Sequence, residues 1–369
     1  MSYEQKNKKL MAQSSKLKAQ SRTQMENEKI ELTELSELGE FGLIDRLTKD
    51  IKTYNKSTVK GIGDDAAVID HKSEQTLIST DVLIEGVHFD MTYMPLKHLG
   101  YKAAVVNFSD IYAMNGTPTQ IVVGMGLSSK FSVEAVEEIF AGIKLACDTY
   151  KVDLVGGDTT ASKSGLFISI TVIGKAKKDD IVYRDGAKAN DLLCVSGTLG
   201  AAYTGLLILE REKAAFMADP NVQPELYGYD YILERQLKPE ARKDIVAKLK
   251  ELEIKPTAMI DISDGLASEI LHLCKDSKVG CRVFEDRIPM HQKAIDVAKE
   301  FDIVPCVAAL NGGEDYELLF TVKQEDYEKV QNMEDVRIIG FMTPDVNVAE
   351  LITNDEHVIP IEAQGFKHF

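Results

Sequence analysis

The sequence predicts an α/β (α+β) chain of two domains, and three observations carry that expectation. Its 369 residues exceed the roughly 100–200 of a single domain. Hydrophobic residues make up 44% and charged residues 28%, the balance of a globular protein with enough apolar material for a core that needs no disulfide or metal staple. From residue 31 onward, apolar runs of strand character alternate with segments of helical period.

Residues 1–30 stand outside this pattern. They hold seven Lys or Arg against three Glu, with sparse apolar residues and many Gln, Ser and Asn. Such a segment buries too little surface to order itself, so 1–30 is expected to be a disordered basic tail, with a docking arm as the alternative. The strands expected next are Thr76–Thr80, Gln120–Leu127, Leu166–Ile173 and Asp191–Ser196, all rich in Val, Ile and Leu. Ser132–Tyr150 reads as a helix: Ser132 is a suitable N-cap, and Val133, Val136, Phe140, Ile143 and Cys147 recur at spacings of three and four. The charged break Lys175–Asp180 marks the expected boundary between a domain at 31–178 and another at 179–369. Pro220–Pro224 reads as a loop, and Ala241–Lys250 and Asp261–Cys274 as further helices.

Charge and cysteine usage narrow the function. A net charge of −16 argues against nucleic acid as a partner, because that affinity comes from Lys and Arg neutralising phosphates. Anionic substrates remain open where cations stand between carboxylate and phosphate. The five cysteines (147, 194, 274, 281 and 306) are odd in number and form no C-x-x-C. They read as buried reduced thiols of a cytoplasmic protein. No apolar run is long enough for a membrane span, and the N-terminus lacks the apolar stretch of a signal peptide.

The chemistry lies in acidic residues set beside Gly or small residues at the ends of apolar runs. They are Gly63-Asp64-Asp65, Ser79-Thr80-Asp81, Asn107-Phe108-Ser109-Asp110, Gly156-Gly157-Asp158-Thr159-Thr160, Asp261-Ile262-Ser263-Asp264-Gly265 and Gly312-Gly313-Glu314-Asp315. Small neighbours let the backbone approach a ligand closely. Any one of these motifs reads equally as turn or cap chemistry; six in one chain do not. Aspartates brought together repel unless cations neutralise them, and oxygen donors without Cys or His suit hard metals, magnesium or calcium. Magnesium binds through one or two carboxylates plus substrate phosphates, so the pattern points to a nucleotide site. It is not a Walker loop, because no G-x-x-x-x-G-K-[ST] occurs, and H-E-x-x-H and G-x-S-x-G are missing too.

The order and wording of these motifs resemble the thiamine-monophosphate kinases of the aminoimidazole-ribonucleotide-synthetase-like (PurM-like) superfamily. The resemblance starts at Glu37-Leu38-Gly39-Glu40-Phe41-Gly42 and passes through Thr80-Asp81-Val82-Leu83-Ile84-Glu85-Gly86-Val87-His88-Phe89, Arg184-Asp185-Gly186 and Ser196-Gly197-Thr198-Leu199-Gly200. It ends at Gly312-Gly313-Glu314-Asp315-Tyr316-Glu317-Leu318 and Gly365-Phe366-Lys367-His368-Phe369. It implies a homodimer of two-domain subunits, with an N-terminal domain holding metal and ATP phosphates and pairing its sheet across the dimer axis. The C-terminal domain would contact ATP and thiamine. By the same resemblance, Asp65, Ser79, Thr80, Asp81, Asp110, Asp158, Asp261 and Asp264 would hold several Mg²⁺ ions. Tyr150, Gly157, Asp158, Arg184 and Ser263 would contact ATP, with Tyr150 flanking the base. His88 would meet the thiamine phosphate, and Glu314 or Asp315 and Phe366 would line the thiamine ring. His88 also reads as an ordinary strand residue, and Glu314 and Asp315 as turn residues. Phe366 stands where relatives can carry Trp; a flat aromatic still suits a cationic ring.

The implied reaction, ATP-dependent phosphorylation of thiamine monophosphate to the diphosphate, needs no catalytic acid or base, since a phosphate monoester is already largely ionised near pH 7. Two relatives are excluded on sequence. A selenide dikinase needs an N-terminal Cys, whereas the first Cys here is Cys147. A hydrogenase-maturation protein carries a C-terminal Cys, whereas this chain ends His368-Phe369. A purine-synthesis ligase is a rival within the superfamily, and a non-enzymatic cation-binding scaffold is a rival outside it.

Overall fold

The structure is a computed structural model and describes residues 46–60 and 68–364. The tail, Asp65 and Phe366 lie outside the described residues. A short ribbon, β1 (Thr58–Lys60) with β2 (Val68–Ile69), precedes two larger sheets. The first sheet has four strands: β3 (Gln75–Ile84), β4 (Thr117–Leu127), β5 (Asp153–Ala161) and β6 (Phe167–Ala176), in the order β3-β6-β4-β5. Only the β4/β5 pair is parallel. The second sheet has seven: β7 (Leu192–Ser196), β8 (Ala258–Asp261), β9 (Gly280–Phe284), β10 (Leu318–Val322), β11 (Val336–Thr343), β12 (Ala349–Ile352) and β13 (Val358–Pro360), in the order β13-β12-β9-β11-β7-β10-β8. All its pairs are antiparallel except β9/β12.

The expected strands fall within β3, β4, β6 and β7, with ends shifted by a few residues. The strand β5 was not anticipated: Val155 is followed by Gly156-Gly157-Asp158, and glycines and aspartate are poor strand formers. Asp261–Cys274 is not one helix. Asp261 ends β8, residues 262–265 form a turn, and α6 (Leu266–Ser277) starts only after Gly265, whose φ is +120°.

Two helices cover one face of the four-stranded sheet. These are α1 (Leu96–Ala113) and α2 (Val133–Tyr150). The α2 prediction holds in detail. Ser132 Oγ accepts the Ala135 N–H, and Val133, Val136, Ile143 and Cys147 are buried, with Phe140 only partly so. The two helices cross where Gly100 and Gly142 meet: a Cβ on Gly142 would lie 1.9 Å from the Lys97 carbonyl oxygen, and one on Gly100 would lie 1.8 Å from that of Ile139. Helix α1 is enclosed on every side, by α2, by β3, β4 and β6, and by β8 of the second sheet. Its buried residues therefore run right round it, including Lys102, Asn107 and Ser109. Beyond it come α3 (Ala201–Ala218), α4 (Asp230–Leu237) and α5 (Lys243–Glu251), the last close to the expected Ala241–Lys250. All five cysteines are free and buried. Among the described residues no helix is long and apolar enough to cross a membrane.

Candidate active site

Helix α1 positions the site because it touches both sheets. Asn107 and Asp110 are three apart and share one face. Asn107 Oδ1 accepts the Asp81 N–H at 3.1 Å, satisfying a backbone donor of the edge strand β3. Asp110 Oδ2 accepts the Ser79 hydroxyl at 2.5 Å. On another face of α1, Ser109 Oγ donates to Asp261 Oδ2 at 2.6 Å, tying the helix to the end of β8. Ser79, Asp110, Arg184 and Asp261 line one cleft of about 570 Å³.

Three carboxylates at this seam lack enough positive charge. Burial, and then the neighbouring Asp110, pushes the Asp81 carboxyl up to about 6. Asp110 is raised by burial despite the Ser79 hydrogen bond and the Arg184 charge. Asp261 is raised by burial and by Asp110, with Asp81 adding to it and Ser109 and Arg184 opposing. Carboxylates that resist ionisation together form a place where a cation is favoured. Among the described residues, no three His, Cys, Asp or Glu side chains gather closely enough to enclose a metal ion. The donor set fits magnesium, which keeps open positions for phosphate oxygens.

Other expected residues take different positions. Thr80 lies on the opposite face of β3 from Ser79 and Asp81, because side chains alternate along a strand. Its hydroxyl donates to the Ile170 carbonyl and accepts from Thr171. Asp158 is exposed on the far edge strand. The register Asp81↔Ile170, Ile170↔Val123, Val123↔Gly157 sets it three strands from Asp81, about 14 Å at ordinary spacing. Gly157 presses on β4, where a Cβ would lie 2.1 Å from the Val123 carbonyl oxygen. Ser263 and Asp264 are exposed on the turn after β8. Tyr150 is buried beside Phe108 and Tyr112 rather than in the cleft. Its hydroxyl donates to Glu240 and accepts the Ala241 N–H. His88 sits in the turn after β3, not in the strand, and its Nδ1 accepts the Ile84 N–H.

The Gly312–Tyr316 loop packs on the Ser263–Asp264 turn. Glu314 N–H donates to the Ser263 carbonyl at 2.7 Å, and Tyr316 N–H to that of Ile262 at 2.8 Å. Gly313, Glu314 and Tyr316 all have positive φ (+70°, +57° and +51°), a concentration of backbone strain typical of ligand-facing segments. Asp315 is fully buried, and its carboxylate accepts the Gly200 and Ala202 N–H groups at the start of α3. Of the two alternatives, Glu314 is the one that reaches open space, with its side chain 30% exposed.

Sequence reasoning assigned no role to Lys102, Asn107, Ser109 or Glu269. Asn107 and Ser109 flank Phe108 inside a motif singled out for Asp110, and their closeness to that aspartate was the available signal. Glu269 Oε1 accepts the Asp264 N–H at 3.0 Å, bracing that turn.

Comparison with known proteins bears on the family. Residues 63–176 match the family described as AIR synthase related protein, N-terminal domain. The thiamine-monophosphate kinase of Aquifex aeolicus is 35% identical over 91% of this chain and 99% of its own length. The chain belongs to the thiamine-monophosphate kinase family. Among solved structures, AaThiL complexed with AMPPCP and TMP is 34% identical, covers 91% of this chain and 98% of its own, and superposes with a TM-score of 0.69. The thiamine-monophosphate kinase of Stenotrophomonas maltophilia K279a reaches a TM-score of 0.72 at 29% identity, over 86% of this chain and 98% of its own. As a family member, this chain is a kinase, and its cleft lined by Ser79, Asp110, Arg184 and Asp261 lies where α1 joins its two sheets.

Proposed function

We propose that this enzyme transfers the γ-phosphate of ATP directly to thiamine monophosphate, giving ADP and thiamine diphosphate, the last step in making that cofactor. The observation that carries the reading is the meeting of Ser79, Asp110, Arg184 and Asp261 around one cleft, in a chain related along nearly its whole length to thiamine-monophosphate kinases. The attacking oxygen belongs to a phosphate, so no side chain has to remove a proton from it. The obstacle is charge: two unit charges 4 Å apart interact by about 4 kcal/mol at an effective dielectric near 20. Magnesium bound with the substrates would supply the positive charge that offsets this repulsion. Asp81, Asp110, Asp261 and Asp264 are the residues to hold it, with Asp65 and Asp158 completing the set. Arg184, beside Asp110, adds a fixed cation, and Ser263 and Gly157 are the backbone positions offered to ATP. His88, Glu314 and Phe366 are assigned to thiamine monophosphate.

The working form in this proposal is a cytoplasmic homodimer. Ile78, Val82 and Ile84 are exposed on the uncovered face of β3, which is what a sheet pairing with a second copy would bury. Such pairing would also give the outlying Asp158 a phosphate site to serve. Residues 31–178 then carry the metal and dimer functions, and 179–369 the remaining ATP and thiamine contacts.

The test is an acceptor screen with Mg-ATP against thiamine monophosphate, thiamine and aminoimidazole precursors. Thiamine diphosphate forming from the monophosphate alone is the expected result. Turnover of an aminoimidazole precursor instead would make the chain a ligase, and no turnover of any acceptor would leave a cation-binding scaffold.

A further inference from the structure

Lys102 is the most deeply buried lysine of α1, with its side chain 1% exposed. Its Nζ donates to the Gln236 carbonyl and to Glu314 Oε2, both at 3.0 Å. Gln236 Nε2 donates to the same Oε2 at 2.8 Å. Two donors thus converge on one oxygen, while Oε1 takes no hydrogen bond from any described residue and is not sealed in the core. Glu314 is also fixed from its backbone, by its positive φ and its bond to the Ser263 carbonyl. Where a chain needs only a buried ion pair, nothing requires strained backbone or a half-exposed carboxylate beside the phosphate-site turn.

We infer that Lys102 is a positioning residue that clamps Glu314 and cancels its charge, so that Oε1 acts as a hydrogen-bond acceptor for an N–H of the phosphate acceptor and not as counter-ion to its ring cation. This deepens the proposed function and rests on it. Thiamine monophosphate offers both features, an amine on its pyrimidine and a permanent positive charge on its thiazolium. A carboxylate already paired with a buried ammonium has little charge left for the thiazolium, but keeps a directional lone pair for the amine.

Glu314→Gln gives a sharp consequence. Lys102 and Gln236 both donate, so they require the amide oxygen at the Oε2 position and force the amide NH₂ into the place of Oε1. The acceptor becomes a donor. The experiment measures kcat/KM for thiamine monophosphate and for its 4-oxo analogue, in which oxygen replaces the pyrimidine amine. Wild type, K102M, E314Q and the double variant are compared, with ATP also varied.

Wild type should favour the amine substrate by roughly 10- to 100-fold, the worth of a hydrogen bond to a charged group. E314Q should shift preference toward the oxo analogue. K102M should raise KM for thiamine monophosphate about tenfold with KM for ATP unchanged. In the double variant only Gln236 still holds the amide oxygen, so the preference for the oxo analogue should weaken from that of E314Q. E314Q that keeps the wild-type preference overturns the inference, as does K102M raising both KM values alike. So does a double variant that discriminates as E314Q does. E314Q retains Lys102, so its preference decides the acceptor role even where K102M does not fold. Failure of wild type to phosphorylate thiamine monophosphate would refute the proposed function itself, a separate result.

Discussion

Changing Asp110 to Asn keeps the shape of the side chain and an acceptor for Ser79 but removes the charge that raises both Asp81 and Asp261. Activity should fall by roughly 10²-fold or more in kcat/KM, the loss expected for a stabiliser of developing charge, with partial recovery at high Mg²⁺. The metal-free protein should melt at the same temperature or higher, because a repulsion has gone. A catalytic loss with lower metal-free stability would instead mark Asp110 as structural. Tyr150 offers the complementary test. Its hydroxyl bridges Glu240 and Ala241, so Tyr150→Phe should cost about 1–2 kcal/mol in denaturant melts and leave KM for ATP unchanged. A raised KM would return Tyr150 to the nucleotide. At this scale the sequence revealed which residues are acidic and set in small-residue contexts, but not where their side chains point. Thr80 lies between Ser79 and Asp81, whose Oγ and N–H meet α1, and faces away, and Asp315 is adjacent to Glu314 and is enclosed. Both outcomes depend on strand alternation and loop φ values that spacing alone does not specify.

Among the elements, α2 was legible because one of its faces is exposed, which leaves a period of three and four in its apolar residues. Helix α1 was not legible, since packing on all sides erases that period. The strand β5 was obscured by Gly156 and Gly157, the second of which lets β4 approach. The crossing of α1 and α2 makes a strong demand on sequence. Gly142→Ala puts a methyl against the Lys97 carbonyl and should destabilise the protein by about 2–3 kcal/mol through overpacking, read from urea melts. Asp90 links the turn after β3 to α3 through Lys213 at 2.8 Å. Burial alone would raise its carboxyl, but hydrogen bonds from Lys213 and Thr92 outweigh that and hold it at about 2. A depressed carboxylate contributes stability above its ordinary value of 3.8 and loses it as pH falls toward 2. Asp90→Asn should therefore cost about 1 kcal/mol at pH 5, allowing for solvent screening, and only a fraction of that at pH 2. Equal costs at both pH values would show that packing, not the ion pair, matters there.

For the whole molecule, the alternation of strands and helices gave the α/β class, yet the pairing of β7 through β13 into one sheet is long-range and leaves no local mark. Ile78→Lys on the open face of β3 should convert a dimer to a monomer in light scattering and lower activity with it; an unchanged dimer would place the interface elsewhere. Removal of residues 1–30 should leave turnover within about twofold, and a tenfold loss would make the segment part of the site. One buried side chain also occupies a site that a free anion could otherwise seek. The amino end of α3, an 18-residue helix, is the kind of socket that takes a phosphate, and here Asp315 plugs it from within. A carboxyl acceptor carried on the same chain outcompetes a dissolved anion by its effective concentration, although burial raises it to about 7. Asp315→Ala should unplug the socket, so that millimolar inorganic phosphate raises the melting temperature of the variant and not of the wild type. In the proposed reaction, an enzyme bathed in ATP, ADP and two thiamine phosphates would thereby avoid a decoy, leaving the cleft beside Arg184 as the address for its polyanions.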